Sequence, residues 1–355
     1  MGQTGGRCRP HRTTSWAGIR DRFLRVFKTV SSRFALSFWQ TVQKILNSNR
    51  NVTKNPNIYA KIGLTINSKE IVEVKRLKVR RSDRLVDMTR YLLERPHQLV
   101  SLTFFAARYE SAKSSISEDL TILKRTFQAR GTGLLETVPG AAGGARFIPY
   151  ILREEAEQFV DEMITELSEA DRYLPGGYVY MSDILGRPSA LRQIGRILAT
   201  QYLNQSVDVV VTVATKGIPL AQSVANYLNV PFVIVRHDSQ ITEGSTVSVN
   251  YVSGSTKRIE RMALSKRSVK PNSRVLIVDD YMKGGGTVGG LRSLVDEFDS
   301  QLAGVAVFAE GDFDGQRTVS KYTSLLKIQT ADEQIRVAPG NYLTQIFGDD
   351  QNSLN

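Results

Sequence analysis

The sequence is poor in the residues that build metal centres and disulfide frameworks. Its 355 residues include one cysteine, Cys8, and three histidines. A single thiol excludes an internal disulfide and a thiolate-rich zinc site, and three histidines leave no clustered metal motif. No apolar run approaches the roughly 20 residues that a membrane-spanning helix needs. Both tryptophans, Trp16 and Trp39, lie in the first 39 residues. What is present, 41% hydrophobic and 23% charged residues, fits a folded soluble protein rather than a fibrous or disordered one. The length accommodates two or three domains with a substantial core.

The net charge of +12 is unevenly placed. Residues 1–77 carry 15 Lys/Arg against 3 Asp/Glu, residues 78–150 carry 12 against 7, and residues 151–355 carry 20 against 25. A basic segment therefore precedes a mildly basic module and a mildly acidic one. A small basic module suits contact with nucleic acid, which the acidic module does not over a large face.

In the first segment Phe23, Phe27, Val30, Phe34, Phe38, Val42 and Ile45 recur at spacings of three or four and predict one apolar face of a basic helix. Such a helix could lie on an anionic membrane. Its Arg- and Ser-rich, acid-poor composition also resembles a transit peptide. The reading preferred here is a basic extension over 1–77 that is disordered or not native. Asn47 to Asn57, five of whose eleven residues are Asn, reads as a linker.

Residues 78–150 predict a small helical module. Leu85, Val86, Met88, Tyr91, Leu92 and Leu93 mark a first helix ended by Pro96, and Leu102, Phe104, Phe105 and Tyr109 a second after Ser101. Ile116, Leu120, Leu123 and Phe127 give a third helix one apolar face, with Ser115 and Glu118 at capping-box spacing and Gly131 as a stop. The tight connection from Glu110 to Ser114 suggests a helix-turn-helix. Leu134–Val138 and Ala145–Ile148 flank the run Pro139 to Gly144 and read as the two strands of a wing. In such a module the N-terminal end of the third helix enters the major groove. Lys113, Ser114, Ser115 and Ser117 are then the donors for phosphates and base edges. Arg80, Arg81 and Arg84 are read as lying just before the first helix, where they would grip the DNA backbone, and Arg146 lies on the second wing strand. A helical protein-interaction module with a solvated basic face reads the same pattern.

From 151 to about 347, short apolar strands alternate with helices. The strands are Val207–Val213, Phe232–Val235, Arg274–Asp279, Ala303–Ala309 and Ser324–Gln329. The helices are Glu154–Ala170, Leu191–Leu203, Pro219–Leu228 and Gly289–Phe298. Alternation of this kind predicts a mostly parallel sheet covered on both faces, with ligands gathering at the carboxyl ends of the strands.

Two of those strand ends carry chemistry. At the first, Asp279 and Asp280 are adjacent carboxylates that cannot both enter a core without a large desolvation cost. They suit a diol or a hydrated Mg2+. Tyr281 follows, and then Lys283, Gly284, Gly285, Gly286 and Thr287 open a helix whose free amides can surround a phosphate. The run is neither a Walker A loop nor Gly-x-Gly-x-x-Gly. At the second strand end, Thr215, Lys216 and Gly217 form a short loop able to bind pyrophosphate, or an ordinary turn. Between them, 238–267 alternates as a long hairpin. Lys257, Arg258, Arg261, Lys266 and Arg267 on it suit polyphosphate, DNA phosphates or simple solvation.

Val275 to Thr287 resembles the phosphoribosyl pyrophosphate (PRPP) loop of type I phosphoribosyltransferases. Residues 78 to 347 are similar along their length to the purine operon repressors of Gram-positive bacteria, on the segments Ser111–Leu123, Val138–Gly144, Leu174–Tyr180, Val213–Leu220 and Thr242–Ser255. The resemblance implies a winged helix-turn-helix over 78–150, an α/β phosphoribosyltransferase-like effector domain over 151–347 and a flexible tail over 348–355. It implies a cytoplasmic homodimer that represses purine biosynthesis and transport genes by binding operator DNA, has no membrane partner and is induced by PRPP. Guanosine tetra- or pentaphosphate would compete for the same pocket, and Mg2+ would be optional. By the match, Asp279 and Asp280 hold ribose hydroxyls, Lys283 to Thr287 the 5′-phosphate, and Thr215 to Gly217 the pyrophosphate; Tyr281 packs at the pocket. Lys283 replaces a residue that is small or hydroxylated in the enzymes, and no obvious purine-recognition loop follows Lys327. Both departures favour sensing over catalysis, with no catalytic residue and no resident metal. A catalytically active purine phosphoribosyltransferase is the alternative.

Overall fold

The structure, a computed structural model, describes residues 79–140, 143–238, 243–253 and 258–348. The expected basic extension, Lys257 and residues 349–355 lie outside them. Helices α1 (Arg81–Leu93), α2 (Leu102–Tyr109) and α3 (Lys113–Ala129) bury the apolar stripe read from the spacing. Met88, Leu92, Phe105, Tyr109, Ile116, Leu120, Leu123 and Phe127 form one core, closed by Leu135 and Phe147 from the wing. Ser101 caps α2, its hydroxyl accepting from the Phe104 amide at 3.1 Å. The wing strands β2 (Gly133–Val138) and β3 (Gly144–Pro149) pair antiparallel.

Two local expectations are corrected. Helix α3 starts at Lys113 with Ala112 as its N-cap and no side-chain cap bond. Ser115 is therefore inside the first turn, and the Ser115–Glu118 capping box does not form. The apolar stripe extends no further back than Ile116, so periodicity alone placed the start too late. A two-residue strand β1 (Val100–Ser101) also pairs with β3, and is too short to carry a periodic signal.

The second part begins with α4 (Arg153–Leu167), the short strands β4 (Tyr173–Leu174) and β5 (Tyr178–Val179), and α5 (Pro188–Thr200). There follow β6 (Val209–Val213), α6 (Gly217–Leu228), β7 (Phe232–Val235), β8 (Thr246–Val252), β9 (Ile259–Ser265) and β10 (Arg274–Met282). The chain continues with α7 (Gly286–Glu297), β11 (Gln301–Gly311), β12 (Thr323–Ala331) and β13 (Gln334–Pro339). Strands β12-β11-β10-β6-β7 form a parallel sheet in that order, and β13 adds an antiparallel edge strand beside β12. That edge strand, whose Gln334-Ile-Arg-Val337 alternates polar residues with core-packed Ile335 and Val337, is absent from the sequence reading. Helices α4, α5 and α6 cover one face and α7 the other, where the antiparallel hairpin β8–β9 also packs.

This order places the candidate loops. From β6 the chain crosses to β7 on one side; from β10 it crosses to β11 on the other. Adjacent β6 and β10 thus flank the point where the winding reverses, and a crevice opens beyond their carboxyl ends.

Candidate functional site

The two loops that leave β6 and β10 are the two singled out by their residues. Asp279 is buried near the end of β10, and one of its oxygens accepts from the Asp280 amide at 3.0 Å. Burial, reinforced by the charge of Asp280, raises the Asp279 carboxyl well above the ordinary carboxylate range. Burial also raises Asp280, against a smaller downward pull from Asp279 and Lys216. Lys216 is therefore close enough for its charge to act on the acid pair, which joins the two loops electrostatically.

Gly217 opens α6 beneath that pair. A Cβ there would stand 2.2 Å from the Thr212 hydroxyl and 2.9 Å from Asp279 Oδ1, so only glycine admits the carboxylate so close to the helix N-terminus. Ala214–Thr215 is a cis peptide, and Thr215 and Lys216 are exposed at the loop's outer edge. On the other loop Lys283 is exposed and Gly284 and Gly285 are buried. Gly285 caps α7 with φ of +81°, a conformation that favours glycine. The N–H groups of Gly286, Thr287 and Val288 precede the first intrahelical bond, which runs from the Gly289 amide to the Gly285 carbonyl. Amides so placed at a helix N-terminus suit an anion.

Tyr281 follows the acid pair on β10. It is half-buried against the core on the α4–α6 side, with its hydroxyl over Gly311 of β11. Tyr251, which sequence reasoning did not single out, does reach the site. Its hydroxyl donates to Glu260 at 2.8 Å and meets Thr287. Burial and that carboxylate push the Tyr251 hydroxyl up to about 12. The hairpin is thereby tied to the first turn of α7.

The expected DNA contacts divide into two groups. Lys113, Ser114 and Ser117 are exposed and Ser115 is half-buried, all within the first five residues of α3. Arg80 is exposed just before α1. Arg81 and Arg84 instead converge on Asp119 of α3, which is 0% exposed. Their Nε atoms donate to its two oxygens at 2.8 and 2.9 Å. Arg146 donates to Glu136 across the wing at 2.9 Å through Nε. Arg258 stands exposed at the start of the second hairpin strand.

Two clefts lie elsewhere, between the winged helix and the α/β part. One, about 440 Å³, is lined by Leu93, Arg130, Arg196 and Tyr227 among others. Another, about 630 Å³, is lined by His97, Glu136, Arg146, Tyr202 and Asn229 among others. Neither is lined by a residue of the two loops. Across this junction Arg196 of α5 donates to the Tyr150 carbonyl at 2.8 Å and also reaches the Gly131 carbonyl. Among the described residues no cluster of three or more His, Cys, Asp or Glu is placed to hold a metal, and no helix is long and apolar enough to cross a membrane.

Comparison with known proteins agrees with this division. Residues 80–149 match the model of the bacterial purine repressor N-terminal domain, and residues 181–341 that of the phosphoribosyl transferase domain. The chain is 55% identical over 270 residues to the purine biosynthesis transcriptional repressor PurR of Bacillus subtilis, covering 75% of this chain and 95% of that protein. It is equally identical over 274 residues to the purine biosynthesis transcriptional activator PurR of Lactococcus lactis, covering 76% of this chain and 100% of that protein. A xanthine phosphoribosyltransferase of Exiguobacterium is 30% identical over 127 residues, 36% of this chain and 66% of that one. A winged helix joined to a sheet whose two candidate loops meet at its reversal point, in a chain that covers 95–100% of such regulators, leaves one assignment: the chain belongs to the bacterial purine repressor family.

Proposed function

We propose that the chain is a DNA-binding transcriptional repressor of purine biosynthesis and transport genes, released from its operator by PRPP. The observation that carries the reading is the meeting, at the reversal point of the sheet, of an acid pair, Asp279 buried and Asp280 half-buried, and two amide-rich loops in a chain that also bears a winged helix. In this reading the chain acts as a homodimer in the cytoplasm. The first turn of α3, with Lys113, Ser114 and Ser117, meets base edges and phosphates, and Arg80 adds a backbone contact.

Asp279 and Asp280 accept from the ribose hydroxyls. The amides at the start of α7, with Lys283 and Thr287, hold the 5′-phosphate. Thr215, Lys216 and Gly217 face the pyrophosphate. Guanosine tetra- or pentaphosphate, which carries similar phosphates, competes for the same cradle. Two carboxylates, with no third His, Cys, Asp or Glu grouped with them among the described residues, form an incomplete cation cage, so any Mg2+ arrives on the effector's phosphates rather than residing in the protein. The domain senses its ligand and does not turn it over.

Effector and DNA are coupled, and coupling is reciprocal: operator DNA weakens PRPP binding by the factor by which PRPP weakens DNA binding. The test measures binding to a purine promoter duplex and to an unrelated duplex at fixed salt, with and without PRPP. Tight promoter binding lost on adding PRPP is expected. Equal weak binding to both duplexes, unchanged by PRPP, refutes the reading. Pyrophosphate release from PRPP and purine bases would instead establish the transferase alternative.

A further inference from the structure

The phosphate loop is held from behind by a segment that neither loop contains. Arg317 donates through Nε to the Lys283 carbonyl at 3.0 Å. The Thr318 amide donates to the Gly284 carbonyl at 3.2 Å. The Thr318 hydroxyl donates to the Gly285 carbonyl at 2.5 Å. Three successive carbonyls of one loop thus receive donors from two adjacent residues.

The consequence follows from peptide geometry. In a trans peptide the C=O of one residue and the N–H of the next point in opposite directions. Drawing the carbonyls of Lys283, Gly284 and Gly285 toward Arg317 and Thr318 turns the N–H groups of Gly284, Gly285 and Gly286 the other way. That is the side on which α7 presents its own unpaired amides. The clasp is itself anchored. Arg317 also donates to the Gly311 carbonyl at 2.6 Å, and to Glu310 and the Tyr322 hydroxyl. Glu310, 6% exposed, accepts in addition from Tyr322 at 2.6 Å and Ser324 at 2.7 Å. The clasp is therefore bonded into β11 and β12 rather than hanging from a mobile loop.

We propose that Arg317 and Thr318 are positioning residues for the phosphomonoester end of the effector. They set the direction of the cradle amides without touching the ligand. The inference rests on the effector reading above and adds residues to which that reading assigns no part.

The test uses the full chain with PRPP as the probe. Thr318→Val keeps the side chain's shape and removes its donor; Thr318→Ser keeps the donor. Thr318 is exposed, so neither change disturbs a core. Thr318→Val should weaken PRPP about three- to tenfold, the size of one lost hydrogen bond, while Thr318→Ser stays within about twofold of wild type. Promoter binding without effector should stay unchanged for both, and the melting temperature should fall in Thr318→Val by no more than one lost hydrogen bond accounts for. Wild-type affinity in Thr318→Val, or a serine variant as weak as the valine, overturns the clasp alone. Wild-type protein that binds no PRPP overturns the effector reading and the clasp with it.

Discussion

Replacing Asp119 separates two roles for the arginines at the start of the winged helix. Arg81 and Arg84 look in sequence like DNA-backbone contacts. In the structure both Nε–H groups are spent on Asp119, whose side chain is 0% exposed, and Arg84 is only 13% exposed while Arg81 is 50% exposed. Asp119→Ala leaves the Arg84 guanidinium largely buried without its partner, whereas Arg81 can swing into water. Breaking a buried pair from one side costs about 3–5 kcal/mol. With one of the two arginines able to escape, the low end, about 3 kcal/mol, applies. For a domain of this size each kcal/mol moves the midpoint by roughly 4–8 °C, so the winged helix should melt at least ~12 °C earlier. Arg84→Ala should destabilise comparably, because it leaves buried Asp119 with one half-exposed partner. The double variant should lose less than the sum of the two, since the second change removes a group already unpaired. The assay is thermal unfolding of the full chain and both single variants, paired with promoter binding at several salt concentrations well below the midpoint. An Arg84→Ala variant that melts like wild type and lowers the slope of log affinity against log salt by about one unit would show a phosphate contact. That result would refute the buried-pair argument.

Three further outcomes follow from the same geometry. Asp279→Asn should raise the melting temperature of the effector-free protein at neutral pH while abolishing PRPP binding. The sign follows from the raised Asp279 carboxyl: the folded state holds this proton more tightly than the unfolded state, so stability is withdrawn as pH rises from the ordinary carboxylate range through the folded value. A lower melting temperature in the variant, read by calorimetry at pH 7, would contradict this. Gly217→Ala, whose Cβ would stand 2.2 Å from the Thr212 hydroxyl and 2.9 Å from Asp279, should displace the acid pair and lose PRPP binding with promoter affinity retained; titrations of both ligands test it. Lys113→Ala, on an exposed side chain in the first turn of α3, should weaken promoter and unrelated duplex alike and reduce the salt slope by about one unit; an unchanged slope would remove Lys113 from the interface.

The sequence by itself determined most of the helices and the main strands, and the residue types that the two loops carry. Helical spacing from Leu85 to Phe127, the glycine-punctuated wing, and the order strand, acid pair, glycine run, helix from Val275 to Phe298 are local properties. Backbone preference and side-chain period express them wherever the chain goes. Only the tertiary structure decided which charges are spent and which loops meet. Asp119 claims arginines 35 and 38 positions away, Tyr251 reaches Thr287 from the hairpin, and Thr318 fixes the carbonyl of Gly285 33 positions earlier. The apposition of β6 and β10 likewise comes from the reversal of the sheet's winding, not from anything written in either strand. The physical reason is common to all of these. Ion pairing and hydrogen bonding depend on distance in space, and composition and periodicity carry no information about distance between segments far apart in the chain.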